Sequence, residues 1–143
     1  MIPEGYTIRP FTMDDYPAAY ALWQATEGIG LSSADRPEAI ARYLQRNPGL
    51  SFVVYWGDVL VGAVLCGHDG RRGYLHHLAV APEHRHRGLG RLLVEHCLRA
   101  LSREGIAKCH LFVLRQNESA IHFWRHLDWV ERVELVVFSK VLE

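Results

Sequence analysis

The sequence predicts an α/β fold of the mixed, α+β kind, with a central sheet flanked by helices on both faces, and three observations carry that expectation. Hydrophobic spacing switches between the helical and the strand period along the chain. The segments follow in the order strand, two helices, three strands, helix, strand, helix, strand. Within that order residues 74–80, the helix opening at Leu89 and residues 108–114 make a strand–helix–strand unit, expected to cross over right-handed.

Each element has a local reason. Residues 6–9 alternate polar and apolar, and Pro10 with Thr12-Met-Asp-Asp marks a short strand leading into a capped helix start. That helix is expected over 14–25, with Tyr16, Ala19, Tyr20, Leu22 and Trp23 as its apolar face. Glu27-Gly-Ile-Gly-Leu-Ser-Ser interrupts it. A second helix begins at Asp35 or Arg36, carries Ile40, Tyr43 and Leu44, and stops at Asn47-Pro-Gly. Residues 50–56, the Gly57-Asp58 turn and residues 59–66 form a hairpin by residue type and spacing. A turn at Asp69-Gly70 leads to the strand 74–80, which Pro82 ends. Helix resumes at Leu89 with Leu92, Leu93, His96, Cys97, Ala100 and Leu101 on one side, and Gly105 closes it. A strand over 108–114, a short helix over 117–127 and a strand-like stretch over 129–138 complete the order.

With 143 residues, 49% of them apolar, the chain has material for one core, and no linker, repeat or low-complexity stretch divides it, so a single domain over 1–143 is expected. The opening MIPEGYTIRPFT lacks the basic start and apolar core of a secretory signal, and no apolar run reaches bilayer-spanning length. A cytoplasmic protein without membrane contact is the expectation. Sixteen basic residues balance sixteen acidic ones, and no lysines interleave with the aromatics, so no nucleic-acid partner is expected. Cys66, Cys97 and Cys109 are odd in number and widely spaced, which fits small buried hydrophobes in a reducing compartment.

The segment richest in chemistry is Ala81-Pro-Glu-His-Arg-His-Arg-Gly-Leu-Gly-Arg, between a strand and a helix. Unpaired N–H groups of a first helical turn face outward there and suit an anion. Gly88 and Gly90 clear the approach, while Arg85, Arg87 and Arg91 supply guanidinium groups matched to phosphate oxygens. A tight turn with solvated arginines would use the same residues. Neither a phosphate loop ending in Lys-Ser/Thr nor the three-glycine dinucleotide pattern is present.

Arg85-His86-Arg87-Gly88-Leu89-Gly90 follows the pattern arginine or glutamine, two residues, glycine, one residue, glycine or alanine. With the preceding Leu78-Ala79-Val80-Ala81-Pro82-Glu83 and the later Asn117-Glu-Ser-Ala120-Ile-His-Phe123-Trp124, the chain resembles the Gcn5-related N-acetyltransferase (GNAT) superfamily over essentially its whole length. The resemblance implies a mostly antiparallel sheet whose fourth and fifth strands splay apart, and direct transfer of an acetyl group from acetyl-CoA to an amine. It implies that N–H groups around Arg85, His86, Arg87, Gly88, Leu89 and Gly90 cradle the pyrophosphate with Arg91 close by. Leu78, Ala79 and Val80 would line the pantetheine arm, Asn117 would hydrogen-bond its end, and Phe123 would pack along it. By the same analogy the Val80 N–H is the oxyanion donor. Where the family commonly has a tyrosine acid this chain has Trp124, and where it commonly has a glycine it has Asp128, which a positive-φ turn accommodates. Trp124 motivates a second reading, a non-catalytic acyl-CoA sensor or interaction domain.

Candidates for acid–base work are His76 and Glu27, with His77 and Glu83, in the turn before the glycine motif, behind them. Strand alternation places His76 with Leu78 and Val80 on one face near the implied cleft, and imidazole titrates near neutrality. Glu27, in the loop under which family acceptors bind, is expected to meet the amine. Nine histidines invite a metal, but His76-His77 is expected to point to opposite faces, and His122 with His126 lacks a third ligand, so no metal is expected. The acceptor is a small-molecule or peptide amine. The last strand, with Glu131 and Glu134, suits either a dimer edge or an ordinary outer strand, so monomer and homodimer both fit.

Overall fold

In the computed structural model, five strands build one sheet in the order β1-β2-β3-β4-β5: β1 (Tyr6–Pro10), β2 (Phe52–Trp56), β3 (Val59–His68), β4 (Gly73–Val80) and β5 (Cys109–His110). The first three pairings are antiparallel and the β4–β5 pairing is parallel, so the sheet is mixed and mostly antiparallel. The structure describes residues 2–142 and falls into two compact units, one ending at Phe112 and one beginning at Val113. The sheet belongs to the first.

Helices α1 (Tyr16–Gln24) and α2 (Pro37–Arg46) cover one face and α3 (Leu89–Arg103) the other. The glycines of the sheet record this. A Cβ at Gly67 would strike Tyr43 and Asn47 at the end of α2, whereas one at Gly62 or Gly73 would meet Leu93 or Leu101 of α3. On the α1–α2 face Phe11, Ala19, Trp23, Ile40, Val53, Ala63, Leu65 and Ala79 form a buried cluster. On the other, α3 buries Leu89, Leu93, Cys97 and Leu101. Burial of each such leucine stabilises the fold by about 2 kcal/mol. The helix over 14–25 divides into a 3-10 turn at Met13–Asp15 and α1, with Pro17 in the first turn of α1, where its missing N–H costs nothing.

Gly105 (φ 81) ends α3 as expected: its N–H bonds to the Ser102 carbonyl and that of Ile106 to the Leu101 carbonyl, which satisfies two carbonyls of the last turn. No described helix is long and apolar enough to cross a membrane.

Two strand expectations are corrected. The segment 108–114 is a strand only at Cys109–His110, because β4 and β5 pair at Gly73–Cys109 and Tyr74–His110 and at no later residue. The stretch 129–138 is not a strand. Its alternation is present, yet no neighbouring strand pairs its main chain, and Val130, Val133 and residues 135–138 are exposed. Within this second unit, α4 (Glu118–His126) is capped by the Asn117 side chain, which accepts from the Ala120 N–H. It ends at Asp128 (φ 68), where Trp129 N–H bonds to the Trp124 carbonyl and the two indoles pack at 4.9 Å.

Candidate functional site

The loop between β4 and α3 is an anion cradle by its backbone. His86 (φ 63) and Gly88 (φ 80) both lie in the left-handed region, with Arg87 between them. The first N–H committed to the helix is that of Leu92, bonded to the Gly88 carbonyl, and the N–H groups of residues 86–91 donate to no protein acceptor among the described residues. Successive unpaired N–H groups in such a curl concentrate positive potential at the head of a 15-residue helix. Apart from Gly88 and the backbone next to it, no described heavy atom lies within 4 Å of where a Gly88 Cβ would stand, so the approach is open. These features fit the pyrophosphate of a coenzyme A.

Two side chains fix the loop to the sheet. Arg85 Nε donates to the Val80 carbonyl at 2.9 Å, and His84 Nδ1 is hydrogen-bonded to the Tyr6 hydroxyl at 2.7 Å. Arg87 remains exposed, and Arg91 shares its guanidinium with Glu95 at 3.3 Å. The sequence showed the arginines but not that Arg85 is spent partly on holding the backbone.

Val80 faces an open sheet edge. Ala81 N–H bonds to the Val61 carbonyl and Ala79 pairs with Ala63, so the alternation of an antiparallel ladder turns the main-chain groups of Val80 away from β3. On that outer side β5 has already parted from β4. Among the described residues the sheet therefore carries an unpaired stretch of β4 next to this loop.

The histidines of β4 depart from simple alternation. Ala63 pairs with Ala79 but Leu65 with His76, so one extra β4 residue bulges there, and His77 takes φ 56. As a result His76 and His77 both point to the α1–α2 side, with rings 6.5 Å apart. His76 packs against Tyr43 of α2 and stacks parallel to Tyr74, whereas His77 packs against Trp23 of α1. This corrects the expectation that His76 shares a face with Leu78 and Val80 and that His77 opposes it. Burial, reinforced by the neighbouring His77, pushes the His76 imidazole below its ordinary pKa despite Asp35 acting the other way. His76 is thus a neutral ring at neutral pH. A cavity of about 200 Å³ lies beside it, walled by Tyr43, Tyr74 and His76 with Arg46 and Asp69 among its polar residues.

The sequence reading missed Asp35. It sits in a 3-10 turn (Ser33–Asp35) that precedes α2, is buried, accepts from the Ser32 N–H and binds His77 Nε2 at 2.8 Å. Ser32-Ser-Ala-Asp35 is a capping-box pattern, the one local signal that this carboxylate is ordered. Glu27 is exposed in the loop after α1 and no hydrogen bond or ion pair holds it. In the second unit Asn117 Oδ1 is occupied by the Ala120 N–H and the Ser119 hydroxyl, leaving its amide N–H groups unused, and Phe123 packs edge-on against Trp124 at 5.0 Å.

Cys66 and Cys97 are buried and Cys109 is half-buried. A hydrogen bond with Cys66, then burial, raises the Cys97 pKa well above its ordinary value, and burial pushes Cys109 up to about 12, so these two thiols stay protonated rather than nucleophilic. Among the described residues no three His, Cys, Asp or Glu side chains are grouped to hold a metal ion.

Comparison with known proteins bears on this arrangement. Residues 14–129 match the family model described as the acetyltransferase (GNAT) family. An acetyltransferase of Pectobacterium atrosepticum is 33% identical over 136 residues, covering 94% of both chains. The crystal structure of the ribosomal-protein-S18-alanine N-acetyltransferase from Escherichia coli superposes with a TM-score of 0.69 at 27% identity, covering 85% of this chain and 76% of that one. A PaiA N-acetyltransferase from Thermoplasma acidophilum, solved in complex with coenzyme A, gives a TM-score of 0.70 at 20% identity over 85% of this chain and 87% of that one.

Proposed function

Because this chain belongs to the GNAT acetyltransferase family, whose membership indicates acetyl-CoA-dependent acetyl transfer, we propose that it moves the acetyl group directly to a primary amine of a small molecule, peptide or protein. The observation that supports this most is the run of unpaired N–H groups at residues 86–91 set beside the open edge at Val80. Acetyl-CoA supplies an acetyl group already activated as a thioester. The chain's own residues do the rest. The curl at Arg85, His86, Arg87, Gly88, Leu89 and Gly90, with Arg91, holds the pyrophosphate. Leu78, Ala79 and Val80 line the pantetheine arm.

The Val80 N–H, free on the outer edge, donates to the oxygen on which negative charge develops. On the opposite face the neutral ring of His76 lies beside that of His77, and Glu27 meets the incoming ammonium. All three Cys play no part, which accords with transfer in a single step without an acyl-enzyme.

Trp124 favours one other reading. Its indole is no practical acid for the leaving thiolate, as a binding-only acyl-CoA sensor would tolerate. One experiment separates the two: thiol release from acetyl-CoA against a panel of amines and peptides, with mass detection of products. Free thiol together with a product heavier by one acetyl group is expected. Cofactor binding without thiol release above hydrolysis would establish the sensor.

A further inference from the structure

Five features converge on His77. It is a non-glycine residue at φ 56, an uncommon conformation that histidine enters more readily than most side-chain-bearing residues. It stands in the β4 bulge just beyond the last pairing with β5. Its Nε2 is bonded at 2.8 Å to Asp35, whose side chain is 6% exposed. Its ring lies 5.1 Å from the fully buried Trp23. Its other nitrogen, Nδ1, has no hydrogen-bond partner among the described residues, on a side chain that is 17% exposed, which leaves it open as an acceptor.

We propose that His77 and Asp35 form a dyad in which Nδ1 takes the proton from the acceptor ammonium while Asp35 fixes the tautomer and steadies the imidazolium. This rests on the acetyl-transfer reading above. A carboxylate on Nε2 holds the proton there, so Nδ1 presents its lone pair, the orienting logic of a base with a third group behind it. Burial lowers the His76 pKa and disfavours its charged form. The other ionisable groups around the dyad are His76 on β4, Tyr16 and Tyr20 on α1, and Glu38 in the first turn of α2; the Tyr16 hydroxyl donates to the Asp35 carbonyl. In the step, one ammonium proton passes to Nδ1 and frees the nitrogen lone pair. The C–N bond forms at the acetyl carbonyl carbon as the C–S bond breaks. The second ammonium proton ends on the departing sulfur, and the imidazolium returns its proton to water.

The alternative is a clamp that merely ties the bulge to the turn before α2. His77→Asn tolerates the left-handed backbone while removing the base, and Asp35→Asn keeps the residue's shape while removing its charge. The dyad predicts that kcat/KM of the wild type falls on the acid side, that His77→Asn lowers it about 10²–10⁴-fold and abolishes that limb, and that coenzyme A affinity measured by calorimetry stays within about twofold. Asp35→Asn should also lower kcat/KM, by less than His77→Asn. Nitrogen NMR of the cofactor-free protein gives an independent readout of the tautomer: the neutral His77 ring should carry its proton on Nε2, and Asp35→Asn should weaken that preference. A His77→Asn protein that is less stable but keeps the acid limb is a clamp, and the proposal is overturned. If the wild type acetylates no amine, the function reading fails; if the neutral His77 ring instead carries its proton on Nδ1, the dyad fails whether or not acetyl transfer is found.

Discussion

At Gly88 the backbone sits at φ 80 with open space where a side chain would project, so the residue is required by conformation and by what must approach it. Leucine there adds about 1–2 kcal/mol of left-handed strain and covers the N–H groups. Gly88→Leu should weaken coenzyme A binding at least about tenfold in a calorimetric titration. An unchanged affinity would remove the phosphate assignment. Tyr43 poses the reverse case. Burial pushes its phenol well above the ordinary tyrosine range, and its hydroxyl is buried without a partner. Tyr43→Phe deletes a desolvated group and should raise stability by about 1 kcal/mol in urea unfolding.

Among elements, the junction of β1, β2 and the turn before α1 depends on Asp15. Its buried carboxylate accepts two bonds from Arg9, one from the Tyr55 hydroxyl at 2.6 Å and one from the Thr12 N–H. Burial works to raise its pKa, but these donors together outweigh burial and hold it below the ordinary value. The unfolded carboxyl therefore binds its proton more tightly than the folded one. The stabilisation is present above about pH 4 and lost as pH falls through the folded value. Asp15→Asn should cost about 2 kcal/mol at pH 6, and the gap from wild type should narrow towards pH 3 in urea titrations. None of this was visible from residue order, whereas locally encoded elements were. The hairpin at Gly57-Asp58, α3 from Leu89 and its stop at Gly105 follow from neighbours a few residues apart, and the positive φ of Asp128 followed from turn chemistry. The bulge at His77 depends on the register of β3 against β4, so alternation placed His76 on the wrong face. Asp35 and His77 meet across 42 residues, and the alternation at 129–138 describes a strand that has no partner. The glycine-rich cradle was legible because a strand, a short loop and a helix head are adjacent in sequence.

For the molecule as a whole, a ligand that binds only the folded state raises its stability. Coenzyme A at a hundred times its Kd should stabilise the chain by about 2.7 kcal/mol, seen as a concentration-dependent rise in Tm, and Gly88→Leu should abolish the rise at the same concentration. A sensor and an enzyme share this behaviour, so turnover alone divides them. The bond from Arg85 to the Val80 carbonyl carries a consequence for which thioesters the chain will use. It ties the curl of N–H groups to the residue whose own N–H faces the open edge, so for a coenzyme A thioester bound as proposed the separation between its two ends would be set by protein and not by solvent. Such a tether works as a gauge: a donor seated at one end is delivered in register at the other. Truncated acetyl thioesters without the nucleotide would arrive unregistered and lose turnover as well as affinity.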